Sequence, residues 1–185
     1  MKGKLRGTLR FLVALAVALL MMMAFRALVI TIYIVDGDGL DPVFEAGDRV
    51  MVNRWSYGLR TAGSGGLFPY GRLWRQPIER GDIVAYENPC DSAHNSVLFG
   101  RCCGLPGDTI CCEGGTELVP SLKDCADTDY YWIKALSEKN PLDSRQLGCI
   151  SERYIIGRAF LVVYSHEPTA PLWDGYRRDR FMLWK

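Results

Sequence analysis

The start of the chain constrains its fold more than any other feature. Phe11–Phe25 (FLVALAVALLMMMAF) is an uninterrupted apolar run of 15 residues, and it resumes after Arg26 as Ala27–Val35. Fifteen helical residues cover about 22 Å, short of the roughly 30 Å hydrocarbon core of a bilayer. Extension through Thr8–Arg10 or Ala27–Ile30 closes the gap, with Arg10 and Arg26 placed to snorkel to the two headgroup layers. A cleavable secretory signal has the same basic start and apolar stretch. However, Ala24-Phe25-Arg26 puts large and charged groups where a small-x-small cleavage site would stand. Residues 1–35 hold five of the 22 basic residues (Lys2, Lys4, Arg6, Arg10, Arg26) and no acid, which leaves 17 basic against 21 acidic in the rest. Basic residues ahead of the span put the start in the cytoplasm and the body outside. The expected division is 1–8 as a cytoplasmic basic start, 9–30 as a transmembrane anchor and 31–185 as an extracytoplasmic domain. The chain would then sit in the cytoplasmic (inner) membrane as a single-pass protein, with the lipid bilayer as its first partner.

The body reads as β. Short apolar or β-branched runs recur at Arg49–Val52, Ile83–Tyr86, Val97–Cys103, Thr109–Cys112, Tyr130–Ile133 and Tyr154–Tyr164. Three are entered by a Gly-Asp pair, Gly47-Asp48, Gly81-Asp82 and Gly107-Asp108, in which glycine supplies a positive φ and aspartate bonds nearby backbone. No amphipathic helical pattern of a dozen residues appears. A chain of 185 residues has room for one core of ordinary size, and a net charge of +1 excludes a nucleic-acid binder by composition.

All seven cysteines lie beyond residue 89 (Cys90, Cys102, Cys103, Cys111, Cys112, Cys125, Cys149), as suits an oxidising compartment. Two pairs are vicinal, which is poor zinc geometry, so no metal is expected. They flank the turn Gly104-Leu-Pro106-Gly107-Asp108, and a disulfide from Cys102 or Cys103 to Cys111 or Cys112 is one expectation. Four reduced, packed thiols are the other. His94 and His166 read as ordinary loop histidines. The Asp36–Asp41 stretch fails as a calcium loop because Gly47 stands where a bidentate glutamate is needed. No phosphate loop or dinucleotide fingerprint occurs, and no cofactor is expected.

The order of the motifs is more specific. Pro42–Gly58, then Arg80-Gly-Asp-Ile-Val84, Arg101–Ile110, Asp143-Ser144-Arg145 and Ile155–Ala159 resemble the type I signal peptidase (leader peptidase) family in the family's own order. A weaker echo lies at Tyr176–Trp184. The resemblance implies a mainly β, coiled extracytoplasmic domain of signal-peptidase type on one N-terminal transmembrane helix. It also implies a Ser/Lys dyad that removes signal peptides at the membrane face. In such a dyad a lysine, desolvated by apolar neighbours, deprotonates the serine.

The chain departs from the family at the dyad. The family's Ser-Met-x-Pro falls on Gly39-Leu40-Asp41-Pro42, and its Lys-Arg falls on Gly100-Arg101. Its Gly-Asp-Asn-Arg segment falls on Ala135–Glu138 and is unrecognisable. Glycine therefore stands at both the nucleophile and the base positions. Leu40, Pro42, Arg101 and Cys102 are the candidates for a retained peptide groove. Gly47, Asp48, Gly81, Asp82, Gly104, Pro106, Gly107, Asp108, Asp143, Ser144 and Arg145 are expected to hold the scaffold. Cys102 and Ser56 are the candidates for a relocated nucleophile, while the body lysines Lys123, Lys134, Lys139 and Lys185 fall outside the motif segments. The expected function is a non-proteolytic relative that binds an exported polypeptide segment or an envelope assembly partner. The alternatives are an active signal peptidase with a displaced nucleophile and a structural subunit of an envelope complex.

Overall fold

The computed structural model describes the backbone of residues 2–35, 40–61, 70–91, 96–112, 115–124, 127–137, 142–171 and 173–181, and the side chains of these except 2–7, 9, 26–28 and 112. The apolar start is helical. Helix α1 (Lys2–Val29) is 28 residues long, about 42 Å. Its leucines, alanines and methionines are strong helix formers. Its side chains at 10–25 are all exposed. Among the described residues no helix is long and apolar enough to cross a membrane. The helix begins earlier than the expected 9–30 span and stops at Val29. There Ile30-Thr-Ile-Tyr-Ile34, β-branched and aromatic, turns extended as strand β1 (Ile30–Ile34).

The strands that follow are β2 (Asp48–Asn53), β3 (Leu59–Arg60), β4 (Arg72–Leu73), β5 (Ile83–Glu87), β6 (Val97–Gly104), β7 (Thr109–Cys112), β8 (Gly115–Leu118) and β9 (Tyr130–Ala135). After the single-turn helix α2 (Ser144–Leu147) come β10 (Ile150–Ser151) and β11 (Ile155–Ser165). Seven of them form an antiparallel sheet in the order β1-β2-β11-β5-β6-β9-β10, while β3-β4 and β7-β8 are separate two-stranded ribbons. β11 is 11 residues long and breaks register twice against β2 and once against β5. Such bulges bend a strand and increase its twist, so the sheet curls rather than lying flat.

Curling buries both faces at the centre. On β5, Ile83 and Ala85 face one apolar cluster with Val50, Val52, Phe44 and Phe99, while Val84 and Tyr86 face a second with Tyr57, Cys102, Ile133 and Ile155. Strand β6 divides in the same way, with Phe99 in the first cluster and Leu98 and Cys102 in the second.

The three Gly-Asp pairs are built alike. Gly47, Gly81 and Gly107 have φ of 89°, 99° and 87°. In each turn the aspartate carboxylate accepts the backbone N–H three residues earlier, from Glu45 (2.9 Å), Glu79 (3.2 Å) and Leu105 (2.6 Å). Each carboxylate also meets an arginine: Asp48 meets Arg180 at 2.9 Å, Asp82 meets Arg158 at 3.1 Å, and Asp108 meets Arg80 at 2.7 Å.

Candidate functional site

The nucleophile-equivalent Gly39 lies outside the described residues, as does His94. The loop that carries Gly39 is closed at its base. Gly47 N–H donates to the Val35 carbonyl at 2.9 Å, and Val35 N–H donates to that of Asp48 at 2.8 Å. Leu40, just beyond Gly39, packs against the first cluster, and Pro42 is exposed. In the first cluster Phe99 meets Phe44 and Tyr33 edge to face, with ring centroids 5.7 and 6.1 Å apart. Sequence reasoning missed this aromatic set because its three members come from separate runs.

Gly100 sits mid-strand on β6, opposite Val84 on one side and Ala135 on the other. A Cβ there would lie 2.4 Å from Ile133 Cγ2 and 2.8 Å from the Lys134 carbonyl oxygen. Real Cβ atoms do not approach that closely, so β9 closes over the base position. Lys134, read in sequence as outside the motif segments, stands on the strand next to β6, directly opposite Arg101. Arg101 and Lys134 are both exposed.

Two of the proposed groove residues face different clusters. Leu40 belongs to the first cluster, and Cys102, 1% exposed, belongs to the second. The Cys102 thiol donates to the Gly104 carbonyl at 3.7 Å. Burial, followed by the neighbouring Cys103 and Asp82, pushes that thiol up to about 12. It is a neutral packed thiol at physiological pH, not a ready nucleophile. Ser56 lies in the turn after β2, and His166 contacts the Pro171 carbonyl at 3.1 Å.

The expected cross-turn disulfide is not formed. Cys102, Cys103 and Cys111 are free thiols. The reason is topological: β7 turns away from β6 and pairs with β8, which leaves Cys111 exposed while Cys102 points inward. Cys112 and Cys125 side chains lie outside the described residues. In a brief iodoacetamide pulse, exposed Cys90 and Cys111 should alkylate first, and Cys102 only on unfolding. Peptide mass mapping that finds Cys102 labelled as fast as Cys90 would contradict this placement.

The Arg80-Gly-Asp82 turn is fastened to β6. Gly81 N–H donates to the Cys102 carbonyl at 2.7 Å, and Cys102 N–H donates to that of Asp82 at 2.8 Å. The Tyr57 hydroxyl donates to Asp82 at 2.8 Å. Burial first, then the Asp82 charge, hold that hydroxyl far above its ordinary value, so it remains a donor. Asp143-Ser144-Arg145 plays a similar part behind β9. The Ser144 hydroxyl accepts from Ile133 N–H at 2.9 Å, and Asp143 accepts from Ala135 N–H at 3.0 Å. Burial opposes ionisation of Asp143. Bonds from the Arg145 side chain and from the Ala135 and Arg145 backbones outweigh it and hold the carboxyl below its usual range. Arg158 and Arg180, which complete two of the Gly-Asp turns, are not motif residues in themselves. Their only sequence signal is position, within Ile155–Ala159 and the Tyr176–Trp184 echo.

Comparison with known proteins follows the same segments. The family model described as signal peptidase, peptidase S26, matches residues 8–120. Signal peptidase I V of Bacillus subtilis (strain 168) is 28% identical over 155 residues, covering 68% of this chain and 80% of that protein. Signal peptidase IB of Staphylococcus aureus (strain Mu50 / ATCC 700699) is 23% identical over 184 residues, covering 81% and 86%. Signal peptidase I of Pseudomonas aeruginosa is 28% identical over 95 residues, covering half of this chain but 30% of that protein.

Proposed function

The chain belongs to the signal peptidase family, peptidase S26, and we propose that it is a non-proteolytic member that binds exported polypeptide segments at the membrane. One observation carries this reading. The base position is not an open vacancy but a glycine over which Ile133 and the Lys134 backbone close to 2.4 and 2.8 Å of any added Cβ. Glycine at residue 39 removes the nucleophile as well. In a known serine peptidase, loss of such a unit costs about a millionfold in rate. The buried, neutral thiol of Cys102 argues against relocation of the chemistry to that residue.

The reading takes α1 as a single-pass anchor in the cytoplasmic membrane, with the β domain outside. The exposed apolar side chains of Phe11–Phe25 cover about 22 Å, and the helical backbone extends beyond both ends of that stretch. An exported segment would add to β1, which stands at the sheet edge and leaves Ile32 and Ile34 exposed. Strand addition uses main-chain hydrogen bonds and needs no serine.

The test is incubation of the detergent-solubilised chain with a panel of pre-proteins. No mature product is expected, and acylating inhibitors of the family's serine should leave no adduct. Cleavage at a small-x-small site that disappears on Cys102→Ala or Ser56→Ala would replace this reading with a relocated nucleophile.

A further inference from the structure

Strands β6 and β9 set two cations face to face. Arg101 and Lys134 are direct partners in the ladder, and both side chains are exposed. Partners in an antiparallel pair stand with Cβ atoms about 5 Å apart, and like charges so placed are destabilising. By contrast, Arg60, Arg80, Arg145, Arg158 and Arg180 each meet a carboxylate. Among the described residues neither Arg101 nor Lys134 does. The two cannot drift apart, because β6 is held between β5 on one side and β9 on the other. The backbone therefore presents a pair of positive charges that nothing nearby compensates.

The position of the pair relates it to β1. Alternate residues of a strand share a face, so Arg101 lies on the side of β6 that carries Phe99. Phe99 and Ile83, the latter opposite Arg101 on β5, belong to the first cluster, and Leu136, just past the end of β9, packs against it. The Phe99 ring meets that of Tyr33 on β1 at 6.1 Å. In the sheet β1 and β6 are separated by β2, β11 and β5, so the curl is what brings them together. Arg101 is one two-residue step, about 6.6 Å, along β6 from that contact. The charge of the occupant follows. A polypeptide stretch that has crossed a membrane is poor in Lys and Arg near its span, because those residues are retained inside. We propose that Arg101 and Lys134 are a two-pronged seat for the carboxylate of an Asp or Glu side chain in the exported segment, so that the domain selects acidic segments. One carboxylate between the prongs accepts charge-assisted hydrogen bonds from both and relieves their repulsion. This inference rests on the reading of the chain as a binder of exported segments, and it names the segments preferred.

The test uses the full chain in detergent and end-blocked synthetic peptides of Ala, Val and Ser that carry a neutral fluorophore. Each peptide has no charge, or one Asp or one Lys at a stepped position, and binding is read by fluorescence anisotropy at low salt. At its best position Asp should bind about tenfold tighter than the uncharged peptide, and Lys more weakly. High salt should remove most of that preference. Arg101→Gln/Lys134→Gln should bind the Asp-bearing and uncharged peptides alike. It should also melt no lower than the wild type, since it removes a repulsion, so a lost preference is not a lost fold. Arg101→Glu/Lys134→Glu should favour the Lys-bearing peptide instead. Peptides bound without charge preference, or a preference that survives the double glutamine change, overturn the seat and leave the segment-binding reading standing. Inorganic phosphate that raises the wild-type melting point, with no Asp preference among the peptides, would make the pair a free-anion site and overturn the seat as well. No binding of any peptide overturns the segment-binding reading and the seat with it.

Discussion

A chain carrying Gly39→Ser together with Gly100→Lys will cleave no pre-protein above background. Restoring the side chains of a dyad restores chemistry only where the backbone leaves room for them. At Gly100 the first atom of the new side chain would meet Ile133 Cγ2 at 2.4 Å and the Lys134 carbonyl oxygen at 2.8 Å. Ile133 is fully buried among Tyr131, Val84 and Ile155, so it has nowhere to retreat. The carbonyl belongs to β9, which is paired to β6 through Gly100 itself and cannot withdraw without opening that ladder. Overpacking of this kind costs about 1–3 kcal/mol. The lysine would therefore appear as lost stability rather than as a base. Gly100→Ala alone should already lower the thermal midpoint. Adding Ile133→Ala should recover little, because it removes the closest side-chain atom but leaves the carbonyl and opens a cavity. Cleavage and melting are read on the same detergent preparations. Recovery of cleavage to within about a hundredfold of an active relative would mean that β9 yields readily and that the base position is a simple vacancy.

That clash is invisible in the sequence, where Gly100 is only a missing lysine. Other features were legible for physical reasons. Val50, Val52, Ile83 and Ile155 lie in short apolar runs entered or followed by turn residues, and such runs announce strands. Hence the mainly β class and the family could both be read from residue order. What could not be read is register across strands. Lys134 falls outside the motif segments in sequence but sits opposite Arg101 once β6 and β9 pair. Cys102 and Cys111 look like facing partners across a tight turn until β7 leaves to pair with β8. The arginines that complete the Gly-Asp turns of Asp48 and Asp82 come from 132 and 76 residues away in the chain. Pairing over such separations is set by the global fold, and no local pattern encodes it.

The three Gly-Asp turns, alike in sequence, should differ sharply in what they tolerate. Alanine at Gly81 or Gly107 meets nothing within 4 Å, so only the left-handed backbone is strained, at a cost of about 1–2 kcal/mol. Alanine at Gly47 suffers the same strain and also drives its Cβ to 1.9 Å from the His166 carbonyl oxygen. The sum should reach about 4 kcal/mol or more, the range of exceptional single substitutions. The aspartates should rank likewise. Asp48 is fully buried against Arg180, and Asp82 is 5% exposed against Arg158 and the Tyr57 hydroxyl. Truncating Asp48 leaves Glu45 N–H without its acceptor although Arg180 keeps Glu45 at 3.0 Å, and truncating Asp82 takes a partner from the Tyr57 hydroxyl and from the part-exposed Arg158, so each should cost roughly 1.5–3 kcal/mol. Asp108 faces Arg80, whose side chain is 61% exposed, so Asp108→Ala should cost about 1–2 kcal/mol, mostly through its bond to Leu105 N–H. Denaturation midpoints of the six variants under one detergent condition give the ranking. Equal losses for Gly47→Ala and Gly107→Ala would show that the close approach to His166 is not maintained. The ranking bears on function because the Gly47-Asp48 turn, through Val35, closes the base of the loop that carries Gly39. The costliest of the three turns thus ties together Val35 and Asp48, the two points of the chain between which the nucleophile position falls in sequence.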